Sequence, residues 1–168
     1  MKFKIALLLM LITNMVYAQS TEYYRMEAAF LYHFTKYMHW DELDTQKEFV
    51  ILILGNSEIV EELQVVAELR KVVSGKKIVI KKIDSETEIQ PAEMLIITEE
   101  SEFGNKYLIE KCNKFHIPII SQNMELMNKG AAISFIAKES KLYFKINKEI
   151  LEKLGVQVAT ELEKMAIK

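Results

Sequence analysis

Between residues 49 and 121, short apolar runs of strand length alternate with segments of helical period, and this alternation restricts the fold more than any other feature of the chain. The run 49–54 (FVILIL) is apolar throughout, as is typical of a strand buried on both faces. The other strands predicted here are 77–83, 94–98 and 117–121, and the predicted helices are 57–73 and 102–115. Such alternation predicts right-handed crossovers and a mainly parallel sheet with helices on both faces.

The last third of the chain has a different pattern. Residues 131–137 and 141–146 are strand-like and are separated by three polar residues, which predicts an antiparallel hairpin. The predicted fold class is therefore α/β in three layers. A mainly parallel sheet of about six strands, with an antiparallel C-terminal hairpin, carries helices on both faces.

After the hairpin, Asn147 is placed to cap a helix over residues 148–154, and Gly155 is placed to end it. The remaining residues 156–167 fit either a closing strand or a closing helix. We expect a helix.

The first eighteen residues have the pattern of a secretion signal. Lys2 and Lys4 supply positive charge, residues 5–12 form an apolar core, and Ala18 is the small residue before the expected cut. We expect cleavage after Ala18, which would leave residues 19–168 as a single exported domain. The apolar run is too short to span a bilayer stably, so we expect no direct membrane insertion of the mature chain.

Charge and cysteine content restrict the function classes. With 22 basic and 24 acidic residues the chain is mildly acidic, and its paired lysines have no interleaved aromatic residues, so nucleic-acid binding is not expected. The single cysteine, Cys112, cannot form an intrachain bridge. It is either a small buried residue of a helix or one half of an intermolecular bridge.

The sequence gives little support for catalysis or metal binding. HExxH, GxSxG and P-loop motifs are absent from the sequence. His33 and His39 are six residues apart and project in different directions from a helix. Cys112 and His116 are four residues apart, which suits two zinc ligands, or a nucleophile and its base. A third ligand, or a third group to orient the base, is not evident in the sequence. We therefore expect no enzymatic activity, no metal and no cofactor.

The helix predicted over residues 26–40 is dense in aromatic residues. On a helical wheel one sector, which predicts a core stripe, contains Tyr23, Met26, Phe30, Phe34, Tyr37 and Met38. The candidate partner-binding residues crowd into the turn at its end: Tyr37, His39, Trp40 and Asp41. Tyr, Trp and His side chains are amphipathic and suit interfaces, so we expect a partner or dimer surface here. The alternative is that Trp40 fills the bottom of the sheet.

A second candidate site lies where parallel strands end. Folds of this class bind ligands beyond the carboxyl ends of their strands, where this chain places Gly55, Asn56, Ser57, Thr98 and Ser121. The alternative is that Asn56 or Ser57 caps the following helix, whose acidic first turn disfavours an anion. A small-ligand binding protein of the periplasm is therefore the alternative function.

Several short motifs follow one another along essentially the whole mature chain. They are Ala28-Ala29-Phe30-Leu31-Tyr32 with Phe34, FVILILG over 49–55, Ile133-Ser134-Phe135, Leu142-Tyr143-Phe144-Lys145-Ile146-Asn147, and Leu154-Gly155-Val156 with Leu162. In this order and spacing they resemble the YfiR-like family. The resemblance implies a periplasmic α/β regulator that tends to dimerise. The family's best-known type holds an inner-membrane diguanylate cyclase inactive, which limits cyclic di-GMP and biofilm formation.

From this resemblance we expect a non-catalytic repressor that forms a homodimer. Its expected partner is an inner-membrane signalling protein with a periplasmic domain, of the diguanylate cyclase or histidine kinase type. The best-known type also carries paired cysteines that form disulfides, whereas this chain has only Cys112. Redox control through an intrachain disulfide is therefore not expected.

Overall fold

The computed structural model describes residues 22–41, 47–70, 72–73, 75–98, 106–139 and 141–167. It confirms the α/β class, with a seven-stranded mixed sheet, a separate two-stranded sheet, and helices. The strands are β1 Met38–Trp40, β2 Glu48–Leu54, β3 Val72–Val73, β4 Lys76–Ile83, β5 Met94–Ile97, β6 Ile119–Ser121, β7 Ile133–Lys138, β8 Lys141–Ile146 and β9 Val156–Val158. The helices are α1 (residues 22–37), α2 Ile59–Arg70, α3 Lys106–Lys114, α4 Lys148–Lys153 and α5 Thr160–Met165, with 3₁₀ turns at Glu86–Glu88 and Met124–Lys129.

The large sheet has the strand order β3-β4-β2-β5-β6-β7-β8. Strands β4, β2, β5, β6 and β7 are mutually parallel, while β3 and β8 run antiparallel at the two edges. The predicted antiparallel C-terminal hairpin, β7–β8, is therefore confirmed. From β2 the chain continues to β4 on one side of β2, and it then returns to place β5, β6 and β7 on the other side. The carboxyl ends of β2 and β5 are therefore the topological switch point.

Two apolar clusters hold the layers together, one on each face of the sheet. The first cluster joins the sheet to α1, α2, α4 and α5, and the second joins it to α3. Successive residues of a strand point to opposite faces. Phe49, Ile51 and Ile53 accordingly lie in the first cluster. The alternate residues Val50, Leu52 and Leu54 lie in the second. This division explains why residues 49–54 are continuously apolar.

The predicted end of the first helix is wrong. The helix stops at residue 37, and Met38–Trp40 instead forms β1, which pairs antiparallel with β9. The register joins Met38 to Val158 and Trp40 to Val156. Strand geometry turns Met38 and Trp40 toward the first cluster and leaves His39 exposed.

Two other predicted helix boundaries are wrong, because part of each segment pairs with a neighbouring strand. Residues 156–167 begin as strand β9, and only Thr160–Met165 is helical. Residues 72–73, predicted to end a helix, pair with β4 as β3. The predicted helix 102–115 is confirmed over Lys106–Lys114, while its first residues and the expected signal segment 1–18 lie outside the described ranges.

The predicted caps are confirmed. Asn147 Oδ1 accepts a hydrogen bond of 3.2 Å from the Ile150 N–H at the start of α4. Gly155 follows α4 with φ +69°, a conformation that favours glycine. Ser57 Oγ accepts a bond of 3.3 Å from the Ile59 N–H at the start of α2.

The buried stripe of α1 lies slightly to one side of the predicted sector. Its fully covered apolar residues are Ala28, Leu31 and Phe34, whereas Met26 and Phe30 are only half-buried. Helix α1 therefore turns its small and aliphatic residues toward the sheet, and part of its aromatic sector faces the rim. In the described ranges, no helix has the length and apolar character to cross a membrane.

A buried acid lies at the amino end of the sheet, between β2 and β5. Glu93 is 2% exposed, and its Oε2 accepts a hydrogen bond from the Val50 N–H. Burial raises the pKa of Glu93 above its ordinary value of 4.5. The bond from Val50, the backbone N–H of Glu93 itself and the charge on buried Lys76 each lower the pKa, but by less. The second carboxyl oxygen of Glu93 and Lys76 Nζ both lack hydrogen-bond partners in the described part of the chain.

We expect Glu93→Gln to flatten the pH dependence of stability. A carboxyl group whose pKa rises on folding contributes stability below its unfolded pKa and loses that contribution as the pH rises through the folded pKa. The free energy of unfolding of the wild type should therefore fall relative to that of the variant from pH 4.5 upward. Urea unfolding at a series of pH values measures this difference, and a difference that stays constant or increases with pH would contradict the assignment.

Candidate functional site

The short ribbon formed by β1 and β9 borders a cavity of about 300 Å³. Besides pairing with β9, the ribbon is fixed by the Asp41 N–H, which donates to the Gly155 carbonyl at 3.2 Å. The cavity is lined by Trp40, Asp41, His116, Glu152, Lys153, Leu154 and Gly155. Two of the four predicted partner-binding residues, Trp40 and Asp41, therefore lie together in its wall.

Trp40 packs on the core and also borders the cavity. Its ring meets Phe49 edge-on, with centroids 5.2 Å apart and an interplanar angle of 84°, so it packs on the first cluster. The same half-buried side chain lines the cavity. Its Nε1 is buried, and none of the described residues accepts a hydrogen bond from it. The position of the indole is therefore set by its packing on Phe49 and not by a hydrogen bond within the described part of the chain.

The polar side chains of the cavity have mixed charge. Asp41 is exposed, and its Oδ1 accepts a bond of 3.2 Å from Gln157 Nε2, which holds the carboxylate against the ribbon. A Cβ on Gly155 would lie 3.4 Å from Asp41 Oδ2, so glycine leaves room for this carboxylate. Glu152 and Lys153 add one charge of each sign. The cavity can therefore receive a polar or charged group from a partner.

Tyr37 and His39 lie outside the cavity wall. Tyr37 stacks on His33, with centroids 5.9 Å apart and an interplanar angle of 9°, and Lys36 Nζ lies 5.9 Å from its ring centroid. His39 is exposed and points away from Met38 and Trp40, as alternate residues of a strand do. The four predicted residues therefore form two adjoining surfaces.

The predicted ligand cleft falls at the switch point between β2 and β5. The Thr98 N–H donates to the Leu54 carbonyl at 3.3 Å, which places Thr98 beside Gly55 at the ends of the two strands. Ser121 ends β6, the next strand across the sheet. The structure thus gathers these backbone positions at one edge of the sheet, as the sequence predicts.

Two of the predicted ligand-binding hydroxyl groups form local hydrogen bonds. Ser57 caps α2. Ser121 Oγ accepts a bond of 2.9 Å from the Asn123 N–H and donates to the Asn123 carbonyl at 3.2 Å. Both hydroxyls would have to break these bonds to contact a ligand.

A buried polar contact near the cleft was missed by the sequence analysis. Glu27 of α1 is fully buried, and its Oε2 accepts a bond of 2.7 Å from Gln122 Nε2, just beyond β6. The contact ties the helix to the carboxyl end of the sheet. The available signal was spacing, because Glu27 lies four residues before Leu31 and seven before Phe34 and so shares their face.

Cys112 is a buried helical residue, which confirms the simpler interpretation of its position. It is 1% exposed in the second cluster, and burial raises the pKa of its thiol to about 12. His116 lies beyond the end of α3 and is exposed. Among the described residues there is no group of three or more His, Cys, Asp or Glu side chains that could hold a metal ion.

Two solved structures resemble the chain at 15% identity. One, described as the ABC domain in complex with L-Trp from Streptococcus pneumoniae, has a TM-score of 0.49, with 70% of this chain and 54% of that chain covered. The other, a conserved domain protein from Vibrio cholerae, has a TM-score of 0.50, with 74% of this chain and 55% of that chain covered. The present chain thus spans about half the length of each, and the second likeness concerns the fold alone.

Among curated proteins, none matches the chain significantly. A family model does match, over residues 24–167, and its description is YfiR/HmsC-like, domain of unknown function DUF4154. The match covers α1 from its third described residue through α5, and so includes both sheets and the cavity beside Trp40. Proteins of this family are periplasmic, and they are known as regulators and not as catalysts. The chain therefore belongs to the YfiR/HmsC-like family.

Proposed function

We propose that this chain is a non-catalytic periplasmic regulator, exported with residues 1–18 removed, that binds and represses the periplasmic region of an inner-membrane signalling protein. Family membership is the observation that carries the proposal. The proposed target is a diguanylate cyclase or a histidine kinase, and in the first case the repressed output is cyclic di-GMP and biofilm. A homodimer is the proposed working form.

The proposed contact surface is the cavity beside Trp40 together with the neighbouring side chains of Tyr37 and His39. Interface energy concentrates in rigid aromatic anchors with charged groups around them. Trp40 is such an anchor, and Asp41, Glu152 and Lys153 lie around it. A protruding side chain of the partner would enter the cavity, and the mixed charges would set its orientation.

A small ligand is the second candidate occupant, and the cavity volume of about 300 Å³ favours it. The cleft formed by Gly55, Asn56, Ser57, Thr98 and Ser121 remains the alternative location for such a ligand. A ligand that filled the cavity beside Trp40 would compete with the partner and so relieve repression.

We expect Asp41→Lys to release the repressed enzyme while leaving the regulator folded. Asp41 is exposed, so the reversal costs little stability, yet it places a second cation beside Lys153 in the contact surface. Binding to the purified periplasmic region of the target should weaken about tenfold or more, and signalling output in cells should rise toward that of a strain lacking the regulator.

Lys77→Glu serves as the control, because Lys77 is also exposed but lies on β4, outside the cavity lining. An Asp41→Lys protein that is exported, has the circular dichroism spectrum of the wild type, and still represses fully would refute the proposed surface.

A further inference from the structure

One face of the β7–β8 hairpin carries three lysines that have no carboxylate partner among the described residues. Strand alternation places Ile136 and Lys138 of β7 on the same face as Lys141, Tyr143 and Lys145 of β8. We call these five residues the lysine face. It is opposite to the side of the hairpin that enters the first cluster through Phe135, Leu142 and Phe144. Within the described ranges none of the three lysines forms a salt bridge.

The arrangement of the lysines destabilises the β7–β8 strand pair in the isolated chain. Lys138 and Lys141 lie directly opposite each other in the strand register. Like charges in such a position destabilise a strand pair. The whole chain is mildly acidic, so this concentration of unpaired positive charge is a local feature. A negative group bound between the lysines would relieve the repulsion.

An open groove adjoins the lysine face at Lys145. It has a volume of about 630 Å³ and runs between the 3₁₀ turn Met124–Lys129 and the end of β8. Met124 and Met127 line it and are half-buried. Methionine adapts to apolar side chains of different shapes, so the groove offers an adjustable apolar contact beside a positive surface.

We propose that the lysine face docks an acidic, extended segment of another protein. Lys141 and Lys145 are four residues apart on one strand, a separation of about 13 Å at 3.3 Å per residue. An extended segment presents its own side chains with the same period. The matching pattern is therefore acidic, any, apolar, any, acidic, with the apolar residue against Tyr143 and Ile136.

A second copy of the chain does not fit this surface. Two hairpins brought together would place lysines against lysines. The exposed glutamates Glu61 and Glu68 of α2 are among the chain's own acidic candidates, but α2 contributes to the first cluster, and its neighbour β4 lies near the other end of the strand order. A contact between α2 of one copy and the lysine face of the next would be head-to-tail. Such a contact can repeat from copy to copy and form an open filament instead of a closed dimer.

Docking takes place on the face and not by adding a strand to the edge. The Ile167 N–H donates to the Phe144 carbonyl at 3.0 Å, so the C-terminal segment occupies part of the free edge of β8.

An anionic bilayer is also a poor fit, because Glu139 is exposed at the hairpin tip with φ +52° and would meet the membrane first.

The test uses the mature chain labelled with ¹⁵N and a synthetic capped peptide of sequence Glu-Thr-Val-Thr-Glu as the probe. We expect shift changes in the amide spectrum that are confined to residues 133–146 and the Met124–Lys129 turn, and that vanish when salt screens the charges. Lys141→Glu with Lys145→Glu should weaken binding at least tenfold. The control, Lys47→Glu with Lys77→Glu, changes the net charge equally at exposed sites outside the lysine face and should bind like the wild type.

Three results would overturn the proposal. One is the absence of shifts at the lysine face. Another is equal weakening by the control pair, which would indicate non-specific charge attraction. The third is lysine-dependent binding to vesicles that contain phosphatidylglycerol without binding to the peptide, which would assign the face to a membrane. Should charge reversal unfold the hairpin, Lys141→Gln with Lys145→Gln removes the charge alone and is expected to give the same loss.

Discussion

Phe34→Ala should lower the free energy of unfolding by about 3–5 kcal/mol, a large fraction of the stability of a single domain. Phe34 is fully buried, and its ring lies 5.8 Å from that of Phe135 and 5.0 Å from that of Phe144. Truncation removes both aromatic contacts and leaves a cavity between α1 and the sheet that rigid strands cannot fill. Helix α1 is thus expected to be an essential layer of the fold.

Urea unfolding followed by circular dichroism measures this loss. Lys36→Ala is the matched control on the same helix, because Lys36 is exposed, and it should change the stability by no more than about 0.5 kcal/mol. A loss below about 1 kcal/mol for Phe34→Ala would mean that α1 is not packed as described.

Gln122→Leu should cost about 2 kcal/mol, the second largest effect expected here. The substitution removes the amide that donates to the fully buried carboxyl group of Glu27, and a buried polar group that loses a hydrogen bond keeps the desolvation cost that this bond offset. Leucine has a similar volume, so the loss comes from the missing donor and not from a cavity. Thermal or urea unfolding of the purified protein measures it.

A double-mutant cycle separates this contact from other effects. When Glu27→Leu accompanies Gln122→Leu, both polar groups are gone, so the double variant should be more stable than the sum of the two single losses predicts. Glu27→Gln provides a milder single change that keeps the size of the side chain. Strict additivity of the two leucine variants would show that the contact contributes no coupling energy.

The central architecture was predictable because its signals are local and strong. The run at residues 49–54 is typical of a strand covered on both sides, and the short connection before Lys141 favours a hairpin. Caps such as Asn147 depend on the residue itself and its immediate neighbours. Each of these features was therefore readable without knowledge of the tertiary structure.

The remaining features depend on partners distant in the sequence. The strand at Met38–Trp40 exists because Val156–Val158 lies beside it, and no local pattern at either segment requires that pairing. Glu27 is buried because Gln122 reaches it across 95 residues. His116, Glu152 and Lys153 join Trp40 and Asp41 in one cavity only after the chain has folded. Sequence patterns therefore predicted the residues of one wall of the site and missed the other wall.

The most direct measurement of the central claim is site-specific photo-cross-linking in living cells. A benzophenone amino acid at Asp41 samples the proposed contact surface, and the same amino acid at Lys77 samples an exposed surface outside it. The account predicts that Asp41 cross-links to an inner-membrane protein with a periplasmic region and a cytoplasmic cyclase or kinase domain, while Lys77 does not. Cross-links from Asp41 that reach no such protein, in cells where the regulator is exported and represses, would contradict it.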